Sequence, residues 1–327
     1  MPDLHSKLLP LSAAIAAHVR DGDSVCMNCQ MEQMIPFAAG HEIIRQRKRD
    51  LRLIGPISDV LFDQVIAAGC VREVVAAWVG NVMMGSAYGF RRAFENSPWS
   101  TYDPAADPNV PKPDRFRVFN LSNFTVSLAL EAGAMGVPFL PTRSVQGSDI
   151  PKNNHFYYQL MSPFANEQGE REMLLAVRAI QPDVTIVHVQ RADPEGNAHC
   201  WANLGILSEA VRAAKKVIVC AEEIVSRDTI ASDPNRTVIP GFLATAVCEV
   251  PWGAHPSPVQ GYYSRDNDYF RKYHAATKTE EDFAHWAQQS VFAVKDRSEH
   301  MALFPPQRLD SLRVKTHAWA APADFGY

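Results

Sequence analysis

Residues 183–201 read D-V-T-I-V-H-V-Q-R-A-D-P-E-G-N-A-H-C-W. Val184 to Val189 is a near-continuous apolar run rich in β-branched residues, the pattern of a strand buried on both faces of a parallel sheet. Asp193-Pro194-Glu195-Gly196 then supplies a type I turn in order, with Asp first, Pro second and Gly fourth. The chain re-enters an apolar segment through Ala198 and Trp201. A buried strand that ends in a fixed polar turn predicts an α/β sheet, and open sheets of this class place ligand sites at such strand ends.

Working outward, the same rhythm repeats. Helices are predicted at 8–19, 34–47 and 59–68, the last stopped by Gly69, and short strands at 24–28, 51–54 and 74–79. A strand at 116–119 leads to Ser122, which can cap a helix through residue 134, and 137–141 reads as the next strand. Downstream come a helix at 206–215, a buried strand at 217–220 ending at Glu222-Glu223, a mostly helical stretch at 266–289 and a Pro-interrupted tail. Alternating strands and helices with short connections predict a doubly wound parallel sheet. The expected organisation is one α/β domain over 1–275, interrupted by a Pro-rich insertion at about 97–114, with a helical extension and tail at 276–327 packing on it.

The 327 residues are 46% apolar and 21% charged, enough to bury a core. A net charge of −4 with no extended basic block excludes a duplex-binding surface. Arg45-Gln46-Arg47-Lys48-Arg49 reads as the charged last turn of a helix. The apolar stretch 8–19 contains Pro10 and runs into Arg20-Asp21-Gly22-Asp23, so it reads as a helix rather than a secretion signal. No run reaches the roughly 18 apolar residues of a membrane span. The cysteines at 26, 29, 70, 200, 220 and 248 suit reduced thiols in a cytoplasmic protein. Cys26-x-x-Cys29 lacks the second pair of a four-ligand zinc site, so no metal is expected.

R-A-D-P-E-G-N-A at 191–198 resembles the signature loop in the α subunits of family I coenzyme A transferases, closest to the glutaconate CoA-transferase-like branch. Further segments follow that pattern in order: D-G-D at 21–23, I-A-A-G-C-V at 66–71, F-R-R-A-F-E at 90–95, A-M-G-V-P-F-L-P-T-R at 134–143, and the stretch from Pro240-Gly241-Phe242 to Tyr262-Tyr263. The resemblance covers roughly 21–273. It implies an open doubly wound α/β/α sandwich of the NagB/RpiA/CoA transferase-like type, and a β-type partner subunit in an α2β2 assembly. It also implies acyl-CoA and carboxylic acid substrates, with coenzyme A carried as substrate rather than as a tightly bound cofactor.

In that chemistry the nucleophilic glutamate belongs to the partner, so no catalytic residue is expected in this chain. Glu95-Asn96 looks like part of a nucleophile loop but ends the Phe-Arg-Arg helix instead. Asn28, Gln30, Asn123, Gln146 and Gly147 are the expected substrate-binding residues. One departure stands out: the loop after Asn28 is Cys29-Gln30-Met31-Glu32-Gln33, where the family has glycines, so side chains occupy space that Gly leaves open. A second reading is a hydrolase of the same architecture that opens cyclic-ketone CoA thioesters. Its α-chain glutamate would fall where this chain has Asn123, and an amide cannot act as a general base. A third, non-catalytic reading as a ligand-sensing module lacks the basic DNA-binding segment that such proteins need.

Overall fold

The computed structural model describes residues 6–85, 87–96 and 116–314. The Pro-rich segment read at 97–114 lies outside them. In chain order the elements are α1 (Leu11–His18), β1 (Ser24–Cys26), α2 (Phe37–Arg45), β2 (Leu51–Ser58), α3 (Val60–Ala67), β3 (Val71–Val79), α4 (Tyr88–Glu95), β4 (Arg117–Asn120) and α5 (Asn123–Met135). A small excursion follows: β5 (Phe139–Thr142), β6 (Tyr157–Ala165) and β7 (Arg171–Arg178). The chain then returns through β8 (Val184–Ala192), β9 (Ala198–His199), α6 (Leu207–Ala213), β10 (Val217–Ile224), α7 (Arg227–Ala231), β11 (Thr237–Ile239) and β12 (Ala246–Glu249). It ends in α8 (Asn267–Ala276), α9 (Glu280–Ala287), α10 (Arg297–Met301) and α11 (Pro306–Leu312).

Seven strands form one parallel sheet in the order β12-β10-β8-β1-β2-β3-β4. The short β9 pairs antiparallel with the end of β8 and with β11. Alternation along β8 divides the interior: Val184 and Ile186 enter one hydrophobic cluster, Val187 and Val189 the other. Residues 184–190 are all buried, as a strand covered on both faces requires. The expected doubly wound α/β architecture is therefore the one found.

The local signals fare well where the chemistry is local. Asp59 caps α3 by accepting from the Val60 amide at 2.8 Å. Ser122 and Thr125 form a capping box on α5, and Gly136 closes that helix at φ +70°. Four differences have physical reasons. First, β5 does not join the parallel sheet but pairs antiparallel with β7, which pairs with β6. Residues 157–178 show no clean period of two because both their faces are partly exposed. Second, β10 runs on to Ile224, so Glu222 and Glu223 lie within the strand rather than past its end. Third, β1 stops at Cys26, and Asn28 lies beyond it at φ +60°. Fourth, the tail holds two more helices, and Pro306 starts α11 at a position where a missing N–H costs nothing.

The C-terminal helices add to the core. Tyr269, Phe270, Tyr273, Phe283, Trp286 and Val291 share one cluster with α2 and α3. His41 of α2 is buried there, bonded through Nε2 to Gln64 Oε1 at 3.0 Å and edge-on to Trp286 and His300. Burial, with the Arg297 charge next, lowers its pKa from 6.5 to about 3. A histidine held neutral in the fold but free to charge when unfolded makes stability fall as pH drops below 6.5. At pH 5 that amounts to about 2 kcal/mol. Urea unfolding at pH 7 and pH 5 should show the loss, and His41→Gln should reduce it by about that amount. Equal pH dependence in the two proteins would exclude His41 as a source.

Candidate active site at the strand reversal

The chain builds the sheet outward from β1 toward β4 in one direction, and from β8 toward β12 in the other. Ligands of open α/β sheets bind at the carboxyl ends of strands where the order reverses, which here is between β1 and β8. The loop that leaves β1 at this point is unusual. Asn28, Met31 and Met34 all have positive φ, at 60°, 63° and 50°. Each such non-glycine residue costs on the order of 1–3 kcal/mol and persists only when its surroundings over-determine it.

The surroundings do so. Gln30 Nε2 donates to the His188 carbonyl at 3.0 Å, and Gln33 Nε2 to that of Asn203 at 3.0 Å. The Ile206 amide donates to the Cys29 carbonyl at 2.8 Å, and the Met34 amide to that of Pro258 at 3.0 Å. Gly205, itself at φ +54°, lies so close that a methyl group there would sit 2.2 Å from the Cys29 oxygen. The loop is thus clamped from β8, from the segment before α6 and from the 257–258 turn. Asn28 is fully buried, and neither atom of its amide has a hydrogen-bond partner.

Beneath the loop runs a buried polar network. Glu222 Oε1 receives the Tyr263 hydroxyl at 2.5 Å and lies 2.7 Å from His188 Nε2, while Oε2 accepts from the Trp252 amide at 2.7 Å. Burial, followed by the Glu222 charge, pushes the Tyr263 phenol well above its usual range. The network ties β8 and β10 to the 252–263 loop, so Glu222 is a positioning group there. Glu223, on the opposite face, accepts from the Tyr262 hydroxyl at 3.0 Å. His255 Nε2 is 2.8 Å from Asp266 Oδ2, and its ring is fixed in the structural manner that its place before Pro256 suggests.

The signature loop is also architectural. Asp193 Oδ1 accepts from the amides of Glu195 and Asn197, and Oδ2 from Asn197 Nδ2 at 2.8 Å. Asn197 Oδ1 then accepts from the Gly241 amide at 2.8 Å. Gly196 is at φ +98°, and a methyl group there would lie 2.6 Å from the Ala244 Cβ. The two segments that carry the family pattern most clearly, 191–198 and 240–244, are joined to each other.

The five expected substrate-binding residues fall into two groups. Asn28 and Gln30 stand together at the reversal, with Gln30 committed to the His188 carbonyl. Asn123 is the exposed first residue of α5, following β4. At a strand spacing of about 4.8 Å, β4 is roughly 14 Å from β1. Gln146 and Gly147 are exposed on the 143–156 loop and line a cavity of about 600 Å³ with Lys152, Tyr157, Gln159 and Met173. Gln146 Nε2 donates to the Met173 carbonyl at 2.7 Å. Gly147 is at φ +76° with open space where a side chain would go, so backbone conformation alone explains the glycine.

One cluster lies outside the sequence-based expectations. Arg265, its side chain wholly buried, lies 3.2 Å from Glu32 and 3.7 Å from Asp59, and covers the Phe270 ring. Burial raises the Asp59 carboxyl to about 6 against the opposing Arg265 charge. The capping role of Asp59 is readable from the helix start that follows it; its ion partner, more than 200 positions away, is not. Among the described residues no group of three metal-ligating side chains comes together, and no helix is long and apolar enough to cross a membrane.

A family model described as coenzyme A transferase matches residues 118–250. The α-type chain of the 3-oxoadipate CoA-transferase of Pseudomonas knackmussii is 39% identical over 297 residues, which are 91% of this chain and 98% of that one. The crystal structure of glutaconate coenzyme A-transferase from Acidaminococcus fermentans superposes with a TM-score of 0.83 at 29% identity, covering 97% of this chain and 98% of that one. The IpdA chain of the cholesterol ring-cleaving hydrolase of Rhodococcus jostii is 25% identical, covering 85% of this chain and 90% of that one. Chain-long identity, shared fold and the matched motifs agree: this chain belongs to the coenzyme A transferase family, as an α-type chain that works with a partner subunit on coenzyme A thioesters.

Proposed function

We propose that this chain is the α half of a cytoplasmic α2β2 transferase, and that its β-type partner supplies the nucleophilic glutamate. The partner carboxylate attacks the acyl thioester, and coenzyme A leaves as thiolate to give an acyl–glutamyl anhydride. The thiolate then attacks the glutamyl carbonyl and releases the original acid. An acceptor carboxylate repeats the two steps in reverse and leaves as the new thioester. A carboxylate is a weak nucleophile in water, so the partner must close over the site and exclude solvent. By its relatives, the acids exchanged are short dicarboxylates such as 3-oxoadipate or glutaconate. The filled loop at 29–33 gives their pocket a shape different from a glycine-lined one.

The observation that carries this reading is Asn28. A buried amide that uses neither donor nor acceptor costs about 1–3 kcal/mol, and its left-handed backbone adds to that. Such a cost is sustained where a ligand recovers it. We place Asn28 Nδ2 as the donor to the thioester oxygen as it becomes an oxyanion. The 29–33 turn, in which Met31 and Glu32 are half-buried, shifts to admit the substrate. Asn123, Gln146 and Gly147 form the outer wall, with Gln30 holding the turn in place. The hydrolase reading is weaker, because the exposed amide of Asn123 offers no base.

Two measurements test this. Native mass of the protein from its own host should show a second chain of similar size in equal amount, and a homo-oligomer would overturn the α-subunit reading. In the reconstituted pair, Asn28→Gly relieves the backbone strain while removing the amide. CoA transfer to 3-oxoadipate or glutaconate should fall by about 10²-fold, with the unfolding midpoint unchanged or raised. Full activity in that variant would remove Asn28 from the site.

A further inference from the structure

The β6–β7 hairpin is anchored at its root and apolar on both faces beyond it. At the root Val177 is fully buried and Leu175 and Tyr157 nearly so. Toward the tip, Leu160 pairs with Leu174 on one face and Met161 with Met173 on the other. Tyr158 is 76% exposed, Phe164 80%, Met161 51% and Met173 47%. The tip is an organised turn: Asn166 Oδ1 accepts the amides of Gln168 and Glu170, and the Asn166 amide donates to the Glu170 carbonyl at 2.7 Å. A two-stranded hairpin is marginal in water unless a face is covered, and contiguous exposed apolar surface on a soluble chain marks an interaction site.

We infer that this hairpin is an arm that clasps the β-type partner subunit, an inference that rests on the heteromeric reading above. The exposed parts of six large side chains (Tyr158, Leu160, Met161, Phe164, Met173 and Leu174), at up to about 200 Å² per large side chain, come to roughly 600 Å². That is most of the roughly 800 Å² each side contributes to a standard stable interface. Phe164 and Leu174, with Pro141 and Arg143, also line a hollow of about 340 Å³, a socket for an anchoring side chain. The choice of occupant follows from continuity. Met173, Leu174 and Gln159 of the arm line the same 600 Å³ cavity as Gln146 and Gly147. A chain seated on the arm therefore closes that cavity, and the transferase needs a second chain there that brings a carboxylate. A second copy of this chain would seal the cavity without supplying one.

The test is Phe164→Asp, with Tyr158→Asp as a second variant, each made in the protein co-expressed with the second chain that accompanies the wild type. Both side chains are largely in solvent, so circular dichroism and the unfolding midpoint should match wild type. Affinity for the partner should fall by about 30-fold or more. CoA transfer should fall with it and return when partner is added in excess. Wild-type affinity in both variants would overturn the arm while leaving the heteromeric reading standing. A wild-type protein without any second chain would overturn that reading itself. Conversion of a homo-oligomer to monomer by Phe164→Asp would show that the arm holds a second copy instead.

Discussion

Ser24 and Asp183 are 159 positions apart, and their contact holds the sheet together at its middle. Asp183 Oδ2 accepts from the Ser24 amide at 2.9 Å and from its hydroxyl at 2.7 Å, and the Ser24 Oγ accepts from the Asp183 amide at 2.9 Å. Partial burial pushes the Asp183 carboxyl up, but bonds from Lys215 and Ser24 outweigh it and hold the pKa at about 2. Beyond this clasp, β1 and β8 are in register at only two pairs, Val25 with Val184 and Cys26 with Thr185. The short overlap matters. Because β1 ends at once, its outgoing loop lies directly against β8, and the crevice of the strand reversal becomes a clamped loop rather than an open cleft.

That arrangement explains why the most recognisable segments are not the reactive ones. Asp193, Gly196 and Asn197 are spent on a turn and on its junction with Gly241 and Ala244. Few other residue types satisfy the same bonds and the same close approach, so the pattern is diagnostic of the family for structural reasons. The chemistry lies one strand away, where the constraints are looser: Asn28 keeps an unpaired amide, and Met31 and Met34 take backbone conformations that suit glycine better. Strain and unsatisfied polarity collect at the position the partner chain must cover, as expected where local rules give way to function.

The division of labour between subunits has a matching physical logic. A carboxylate nucleophile needs a dry site, and a subunit interface provides one that opens and closes by association. In this chain the inner framework is saturated with bonds, as the Glu222 network and the His255–Asp266 pair show. The small antiparallel sheet, by contrast, leaves large apolar side chains in water. Stability is concentrated where the sheet is built, and unsatisfied surface where another chain can meet it.

Much of this is legible in the residues. The β-branched run of β8, the Asp59 and Ser122 caps, the Gly69 and Gly136 stops and the type I turn at Asp193 are decided within a few positions by sterics and local hydrogen bonds, so the doubly wound sheet follows from pattern alone. Asn28 stands out at its strand end, but nothing local says that its amide is buried without a partner. The sequence alone does not show that Gln30 answers to a carbonyl 158 positions on, that Glu32 and Asp59 share Arg265, or that 139–142 leaves the main sheet to pair with 171–178. Those are contacts between distant segments, and their energies depend on burial and on a geometry that exists only once the sheet has closed. The sequence by itself determined the elements, their order and the family pattern; the tertiary structure alone decided which polar groups are paired, which are left unpaired and which apolar faces remain uncovered, because desolvation is a property of the packed chain and not of any segment.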